Sequence, residues 1–355
     1  MAKEYVGIDL HRRRSVIYRM DEAGEQIDCV RINNDPVWFA QEVSKSPKGS
    51  HVVIEATYGW YWAVDLLLEH GYVVHLSNPH GNDWGKRRVK NDERDARDLA
   101  DLLRLGRLAE AWIAPPATRE LRELVRFRYK LSGLRTGVKA QAHAVMAKNG
   151  ILPVRNDMWG ESGSAQFDSL ELPEAFDHRL AVLRSLVHTY DEEIDRLDRT
   201  IHSMCKDDPG YRAVQAIYGV GRVFAAVFVA EIGDVHRFDS PQALCSWAGL
   251  TPIHRESDGK VHRGRITKQG SRLVRWAAIE AVARYHGGDA FTDKFHAIAE
   301  RRGKTKANVA IARKVLTRRD PLSRRRQGGV TLGHTGRVLV TRQGSHRFKV
   351  AKPAK

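Results

Sequence analysis

Four carboxylates stand out by type and position. Asp9 follows the apolar run Tyr5-Val6-Gly7-Ile8, Glu55 follows Val52-Val53-Ile54, and Asp92 and Asp95 open a helical stretch three residues apart. A charge placed directly after strand residues destined for a core is costly unless something pairs with it, so Asp9 and Glu55 call for a counter-charge. A spacing of three puts Asp92 and Asp95 on one helix face. As a set, the four suit one or two Mg²⁺ ions, because a hard cation prefers oxygen ligands and bridges to phosphate. Two such ions can clamp the attacking and leaving oxygens of a phosphodiester. Taken singly, Asp92 also fits as the N-cap of its helix, and Asp98 and Asp101 read as solvated helix acids.

A second candidate lies far along the chain. Ser257 sits in a polar, Gly-containing run, 254–270, among Lys260, Arg263, Arg265 and Lys268, and the run leads into a helix expected at Ser271–Tyr285 with Arg272 and Arg275. A serine hydroxyl is a weak nucleophile unless nearby cations lower its pKa or a base takes its proton. By composition alone Ser257 reads as an ordinary loop serine; the ring of cations would let it meet a phosphate. Upstream, Gly219-Val220-Gly221 precedes an apolar helix at Phe224–Ile232. Such a turn resembles the hairpin of helix-hairpin-helix modules, whose backbone N–H groups hold phosphate without reading sequence. It is equally a tight helix–helix turn.

The elements that must position the acids are legible in order. Strands are expected at Tyr5–Leu10, Ser15–Met20 and Gln26–Ile32, joined by short turns. A helix from Pro36 to about Ser44 follows, then a strand at His51–Ala56, a helix at Trp60–His70 closed by Gly71, a strand at Tyr72–Leu76 and a helix at Glu93–Leu105. The order βββ-α-β-α-β-α is that of RNase H-like domains, in which the ends of strands one and four lie side by side under the last helix. Beyond Pro115-Pro116 come two long amphipathic helices, Thr118–Lys148 and Glu174–Met204, joined by a polar loop at Pro153–Ser169. They suggest an antiparallel coiled-coil arm. The predicted fold class is α/β plus α: an RNase H-like domain (1–114), a coiled-coil arm (115–208), a mainly helical domain (209–316) and a basic tail (317–355), disordered until bound.

Composition bears on partners. The chain has 355 residues with a formal net charge of +16, which favours a polyanion such as nucleic acid. Residues 317–355 hold eleven Lys/Arg against the single acid Asp320, so ten of the sixteen net charges sit in the tail. A solubilising tail is the other reading of that charge. No run of eighteen apolar residues exists, so no membrane span is expected. The start Met1-Ala2-Lys3-Glu4 lacks an apolar leader, and Cys29, Cys205 and Cys245 are too scattered for a disulfide frame or zinc site. These features point to a cytoplasmic protein with reduced cysteines.

The motifs together resemble the IS110-family transposases, which join an N-terminal DEDD RuvC-like domain to a C-terminal transposase domain. The first is matched by Gly7-Ile8-Asp9-Leu10-His11, Ile54-Glu55-Ala56 and Lys90-Asn91-Asp92-Glu93-Arg94-Asp95-Ala96. The second is matched by Gly219-Val220-Gly221 with Ala225, by Ala230-Glu231-Ile232-Gly233-Asp234 and Phe238, by Gly249-Leu250-Thr251-Pro252, and by Ser257-x-Gly259-Lys260 running into Ile266-Thr267-Lys268-Gln269-Gly270. The resemblance implies a recombinase of an insertion sequence, guided by a structured bridge RNA that pairs with donor and target DNA. It implies Asp9, Glu55, Asp92 and Asp95 as Mg²⁺ ligands, Ser257 as a nucleophile joined covalently to DNA, and a homo-oligomer (dimer or tetramer) built through the arm. A metal-only RuvC-like nuclease and a nucleic-acid-binding remnant are the alternatives. Two departures from the family pattern are Asp258, where many relatives have Gly, and the Gly/Arg-rich stretch after Leu316, where the family continues with an apolar helix.

Overall fold

The computed structural model describes residues 3–81, 91–154, 157–284, 290–317, 329–331 and 339–341. The chain divides into two compact units, Met1–Ala114 and Pro115–Lys355.

The first unit is a six-stranded mixed sheet. Its strands are β1 (Tyr5–Leu10), β2 (Arg14–Met20), β3 (Gln26–Asn33), β4 (His51–Glu55), β5 (Val73–Ser77) and β6 (Glu110–Ala111), in the order β3-β2-β1-β4-β5-β6. β1 pairs with β4 in parallel and with β2 antiparallel, so the turn after β1 and the turn after β4 leave the same end of the sheet. The short β6, antiparallel to β5, has no counterpart in the sequence-based expectation. Helices α1 (Pro36–Val43) and α2 (Trp60–Glu69) cover one face, where Val6, Ile8, Ile17, Val52 and Ile54 meet Phe39, Ala63 and Leu67. Asp35 caps α1, accepting from Val37 N at 2.9 Å, with Pro36 at the first helical position.

Helix α3 (Asp92–Arg104) covers the opposite face, which holds the alternate residues Tyr5, Val16, Tyr18, Met20 and Val53. Its buried stripe is Asp95, Ala96, Leu99, Ala100 and Leu103. Gly7 lies beneath that stripe, and a Cβ there would stand 2.0 Å from the Ala96 carbonyl oxygen and 2.8 Å from the Ala100 nitrogen. Only glycine permits this closeness, and the two alanines supply the matching small surface.

The second unit begins with α4 (Pro116–Lys148) and α6 (Glu174–Cys205), which run antiparallel: Arg128 bonds Asp198, Arg135 bonds Asp191, and Gln141 meets Arg179. Between them the structure corrects an expectation. Residues 153–169 are not a loop throughout, because α5 (Glu161–Asp168) forms within them. Its Gly163 packs on the Met158 backbone, with an ideal Cβ 2.3 Å from Met158 Cα, and Phe167 enters a small core with Met146, Leu180 and Leu183. Glycine and serine in this helix are weak formers, which masks it in the sequence; tertiary burial supplies the stability.

The bases of α4 and α6 share one core with α7 (Pro209–Gln215), α8 (Arg222–Ile232), α9 (Pro241–Trp247), α10 (Arg272–Ala283) and α12 (Lys304–Leu316), through Leu121, Val125, Ile201, Phe224, Val274 and Ile311. α11 (Ala290–Arg302) precedes α12, and a hairpin of β7 (Pro252–Ser257) and β8 (Lys260–Ile266) projects between α9 and α10. The expectation for the tail falls outside the described residues, apart from the three-residue strands β9 (Gly329–Thr331) and β10 (Leu339–Thr341). Cys29, Cys205 and Cys245 are free thiols. Among the described residues no helix is long and apolar enough to cross a membrane.

Two features of the first unit are open to test. Gly7→Ala forces α3 away from β1 and costs about 1–3 kcal/mol or more; an unchanged urea midpoint would refute the close approach. The second concerns His51, which stacks on Tyr5 and whose Nδ1 lies 3.0 Å from His75 Nε2, while His75 Nδ1 lies 3.0 Å from Glu110 Oε1. Burial, then Lys3, then His75 push the His51 pKa down. Folded His51 therefore stays neutral where an unfolded histidine, with a pKa of about 6.5, takes up a proton. Stability from this group is complete above about pH 6.5 and is lost as the pH falls through the depressed folded value. His51→Gln is expected to flatten the acid limb of the unfolding midpoint against pH; an identical acid limb contradicts the assignment.

Candidate active site

The periodicity that buries Ala96, Leu99 and Ala100 also turns Asp92 and Asp95 toward the sheet, over the C-terminal end of β1. Asn91 is the N-cap of α3, its side chain accepting from Glu93 N at 3.2 Å. Asp92 is thus the first helical residue and not the cap, which corrects one of the two roles open to it in the sequence. Its carboxylate lies 3.4 Å from His11 Nε2 and 3.8 Å from Arg31 Nη2. The same His11 nitrogen is 3.0 Å from Asp9 Oδ2, and Asp9 is only 7% exposed. One ligand atom each from Asp9, His11 and Asp92 lies within 4.8 Å of the others.

Ile8 pairs with Ile54, so the next position in the parallel register sets Glu55 beside Asp9, on the α3 face. Asp95, also 7% exposed, follows one turn into the helix. Neither belongs to the tight group, which instead includes a histidine that the carboxylate argument overlooks. A signal for His11 exists in the sequence: it stands two residues after Asp9, and residues two apart in an extended segment share a side. Two carboxylates and an imidazole are a donor set suited to a divalent cation. The three acids of the first helical turn, Asp92, Glu93 and Asp95, also favour the positive end of the helix.

Ser257 is not in a loop. It ends β7 and pairs with Lys260 across the two-residue turn Asp258-Gly259, whose φ values are +51° and +68°. Two positive φ angles define the turn that matches the twist of a two-stranded ribbon, for which Asp-Gly is a favoured sequence. That dipeptide was the available signal. Ser257, Lys260, Arg265, Lys268 and Arg272 are exposed, and Arg263 lies in β8 with its side chain outside the described residues. The base of the hairpin is closely packed. Lys268 N donates to Gly249 O at 3.1 Å, and a Cβ on Gly270 would stand 1.7 Å from Trp247 O. Arg275 donates from Nη1 to the carbonyls of Ala248 (2.9 Å) and Gln269 (3.1 Å), and burial, aided by Arg272, lowers its pKa. Gly219, at φ +84°, turns the chain between α7 and α8, Val220 is buried, and Gly221 is the N-cap of α8.

Residues 211–287 match the pattern described as the transposase IS116/IS110/IS902 family, and residues 6–149 match that of the IS110-type DEDD transposases. A pilin gene-inverting protein of Moraxella lacunata is 32% identical over 337 residues, covering 89% of this chain and 94% of that protein. The chain belongs to the IS116/IS110/IS902 family of transposases. It is 26% identical to the transposase for insertion sequence element IS1111A of Coxiella burnetii, over 87% of this chain and 86% of that protein. A putative transposase, y4qE, of Sinorhizobium fredii is 31% identical over 56% of this chain, and the matched part spans about half (48%) of that protein's length. As a member of this family the chain is an enzyme of DNA transposition and recombination.

In this transposase a buried acid anchors the neighbourhood of the hairpin. Glu231, at the end of the apolar run of α8, takes Arg126 in a bidentate pair (2.6 and 3.1 Å) and accepts from Ser271 Oγ at 3.0 Å. Ser271 is the N-cap of α10, and Arg122 donates to the Ala230 and Glu231 carbonyls. The network borders an open cleft of about 850 Å³ lined by Arg126, Tyr129, Lys130, Trp247, Ser271 and Arg272. Sequence reasoning assigned Glu231 no role of its own, since its partner lies 105 residues away. The turn carries the testable consequence. Asp258→Gly is expected to leave the hairpin intact, whereas the β-branched Asp258→Val costs about 1–2 kcal/mol at a positive φ. Amide exchange across β7 and β8 measures it; equal protection in both variants contradicts the turn assignment.

Proposed function

We propose that the chain cuts and rejoins DNA as the transposase of an insertion sequence, using an RNase H-like carboxylate centre and a serine nucleophile. The observation that carries this reading is the meeting of Asp9, His11 and Asp92 over the end of β1, with Glu55 next in register. The strand order β3-β2-β1-β4-β5, with α3 across β1, supports the RNase H-like assignment. Asp9, Glu55, Asp92 and Asp95, with His11 as a further donor, would hold Mg²⁺. Bound there, the ion would supply Lewis-acid stabilisation of charge on a phosphodiester.

Ser257 Oγ is the attacking atom in this proposal. It forms a bond to phosphorus as the bond to the leaving deoxyribose oxygen breaks; the serine proton is lost and the leaving oxygen gains one. Lys260 and Arg265 stabilise the negative charge that develops. Attack on the covalent joint by a hydroxyl of another DNA end reverses the step and completes exchange. The exposed cations of the hairpin, the Gly219–Gly221 turn and the cleft that contains Arg272 contact phosphate backbone. Sequence choice is delegated to a bridge RNA, as in other RNA-guided effectors that read shape and backbone. The α4–α6 pair acts as a coiled-coil arm that joins two or four copies.

The test is covalent capture on element-end DNA with Mg²⁺. Wild-type protein is expected to form a protein–DNA adduct, and Ser257→Ala, Asp9→Asn and Asp92→Asn are each expected to abolish it. Undiminished strand exchange by Ser257→Ala sinks the serine mechanism in favour of a metal-only nuclease.

A further inference from the structure

The end of the sheet that carries the carboxylates also carries a cationic turn and an exposed aromatic. The segment that leaves β1 and opens β2 reads His11-Arg12-Arg13-Arg14, with Arg14 the first residue of β2, and all four residues are exposed. Among the described residues no acid forms an ion pair with Arg12, Arg13 or Arg14. Three neighbouring guanidinium groups repel one another, yet this turn is pinned. His11 N donates to Arg14 O at 3.1 Å, Asn34 N donates to Arg13 O at 2.9 Å, the Asn34 side-chain amide donates to the His11 carbonyl, and Ser15 Oγ donates to Asn34 Oδ1 at 2.5 Å. Asn34 thus holds the turn through backbone and side chain together.

The turn starts two residues beyond Asp9, so its arginine backbone lies within about 18 Å of that carboxylate by chain reach alone. β4 runs parallel to β1, and the turn after it leaves the same end of the sheet. There Tyr58, three residues beyond Glu55, is 80% exposed. An arginine suits phosphate oxygens through charge-assisted paired hydrogen bonds. An exposed tyrosine ring offers a stacking surface to an unpaired base.

We propose that Arg12, Arg13, Arg14 and Tyr58 form a rim that grips the DNA strand entering the carboxylate centre, the arginines on its phosphates and Tyr58 against an unstacked base. This rests on the reading of that centre as the place of DNA chemistry. The rim selects DNA locally opened near the scissile phosphate, since a base held in a duplex cannot reach the tyrosine.

The experiment uses the full chain and fluorescent oligonucleotides: a 20-nucleotide single-stranded DNA, the matching duplex and the matching RNA, titrated over a salt series. Replacing Arg12, Arg13 and Arg14 together by Gln is expected to make the slope of log K against log salt shallower by about 2 to 3, at roughly 0.7–0.9 for each phosphate no longer neutralised. The triple Lys variant keeps the slope. Tyr58→Ala is expected to weaken single-stranded DNA binding about five- to hundredfold and leave the duplex unchanged, and Tyr58→Phe restores it. Unfolding midpoints equal to wild type exclude loss of fold. An unchanged slope in the triple Gln variant overturns the proposal, as does a Tyr58→Ala effect equal on duplex and single strand, or a rim effect on RNA alone. Failure of the underlying reading has a different signature: DNA cleavage that survives Asp9→Asn while the rim variants still alter the salt slope.

Discussion

The first unit depends on the contact of α3 with β1 at Gly7. A helix can approach a sheet this closely only where the strand offers no side chain and the helix offers small ones, and here Gly7 meets Ala96 and Ala100. The first helical turn then hangs over the end of β1, where Asp9 is buried and Asp92 comes within reach of His11. A methyl group at residue 7 would lift the helix and part the acids without altering a single ligand. The site is therefore set by packing before electrostatics enters. Electrostatics then makes the packed site unfavourable when empty of counter-charge, because carboxylates near each other, Asp9 among them buried, repel. Arg31 offsets part of that repulsion and His11 lies within hydrogen-bond reach of both acids, and a bound cation would offset far more.

The second unit solves a different problem: how to present a small polar hairpin with fixed aim. Among the described residues β7 and β8 pair only with each other, and a lone two-stranded ribbon is marginal in water. Its orientation comes from the base, where glycines at 249 and 270 allow backbone-to-backbone approach and Arg275 ties two carbonyls together. Glu231 extends the brace to α4 through Arg126 and to α10 through Ser271. An acid buried with a bidentate partner contributes little net stability, but it fixes the mutual position of three helices. A reactive group on an exposed tip needs that kind of support.

Much of this was legible in the residues. Strands β1 to β5 and the helices α1, α2 and α3 follow from alternation, capping residues and period, because these elements are half-buried and each face is read directly, whereas the two-residue β6 is too short to show a period. The acids were legible for the same reason, as charges that interrupt apolar patterns. His11 was not singled out, since an exposed histidine breaks no pattern. α5 was hidden by Gly163 and the serines around it, and Glu231 by the distance in sequence to Arg126. Ser257 was placed in a loop because a polar ribbon with both faces in solvent lacks the alternation that marks a strand, and the Asp-Gly turn was the one local sign of it.

That turn also bears on residue 258, where the family resemblance leads one to expect Gly. The backbone there needs a positive φ, which glycine adopts freely and aspartate tolerates better than most residues. The exchange thus preserves the geometry that sets Ser257 opposite Lys260. Its cost is an added negative charge next to the serine, where phosphate must come. Residues 252–270 nonetheless hold five Lys/Arg against Glu256 and Asp258, so the hairpin remains cationic and the field at its tip still favours a polyanion. The constraint at this position is conformational first and electrostatic second, the same ranking that holds at Gly7 in the other unit.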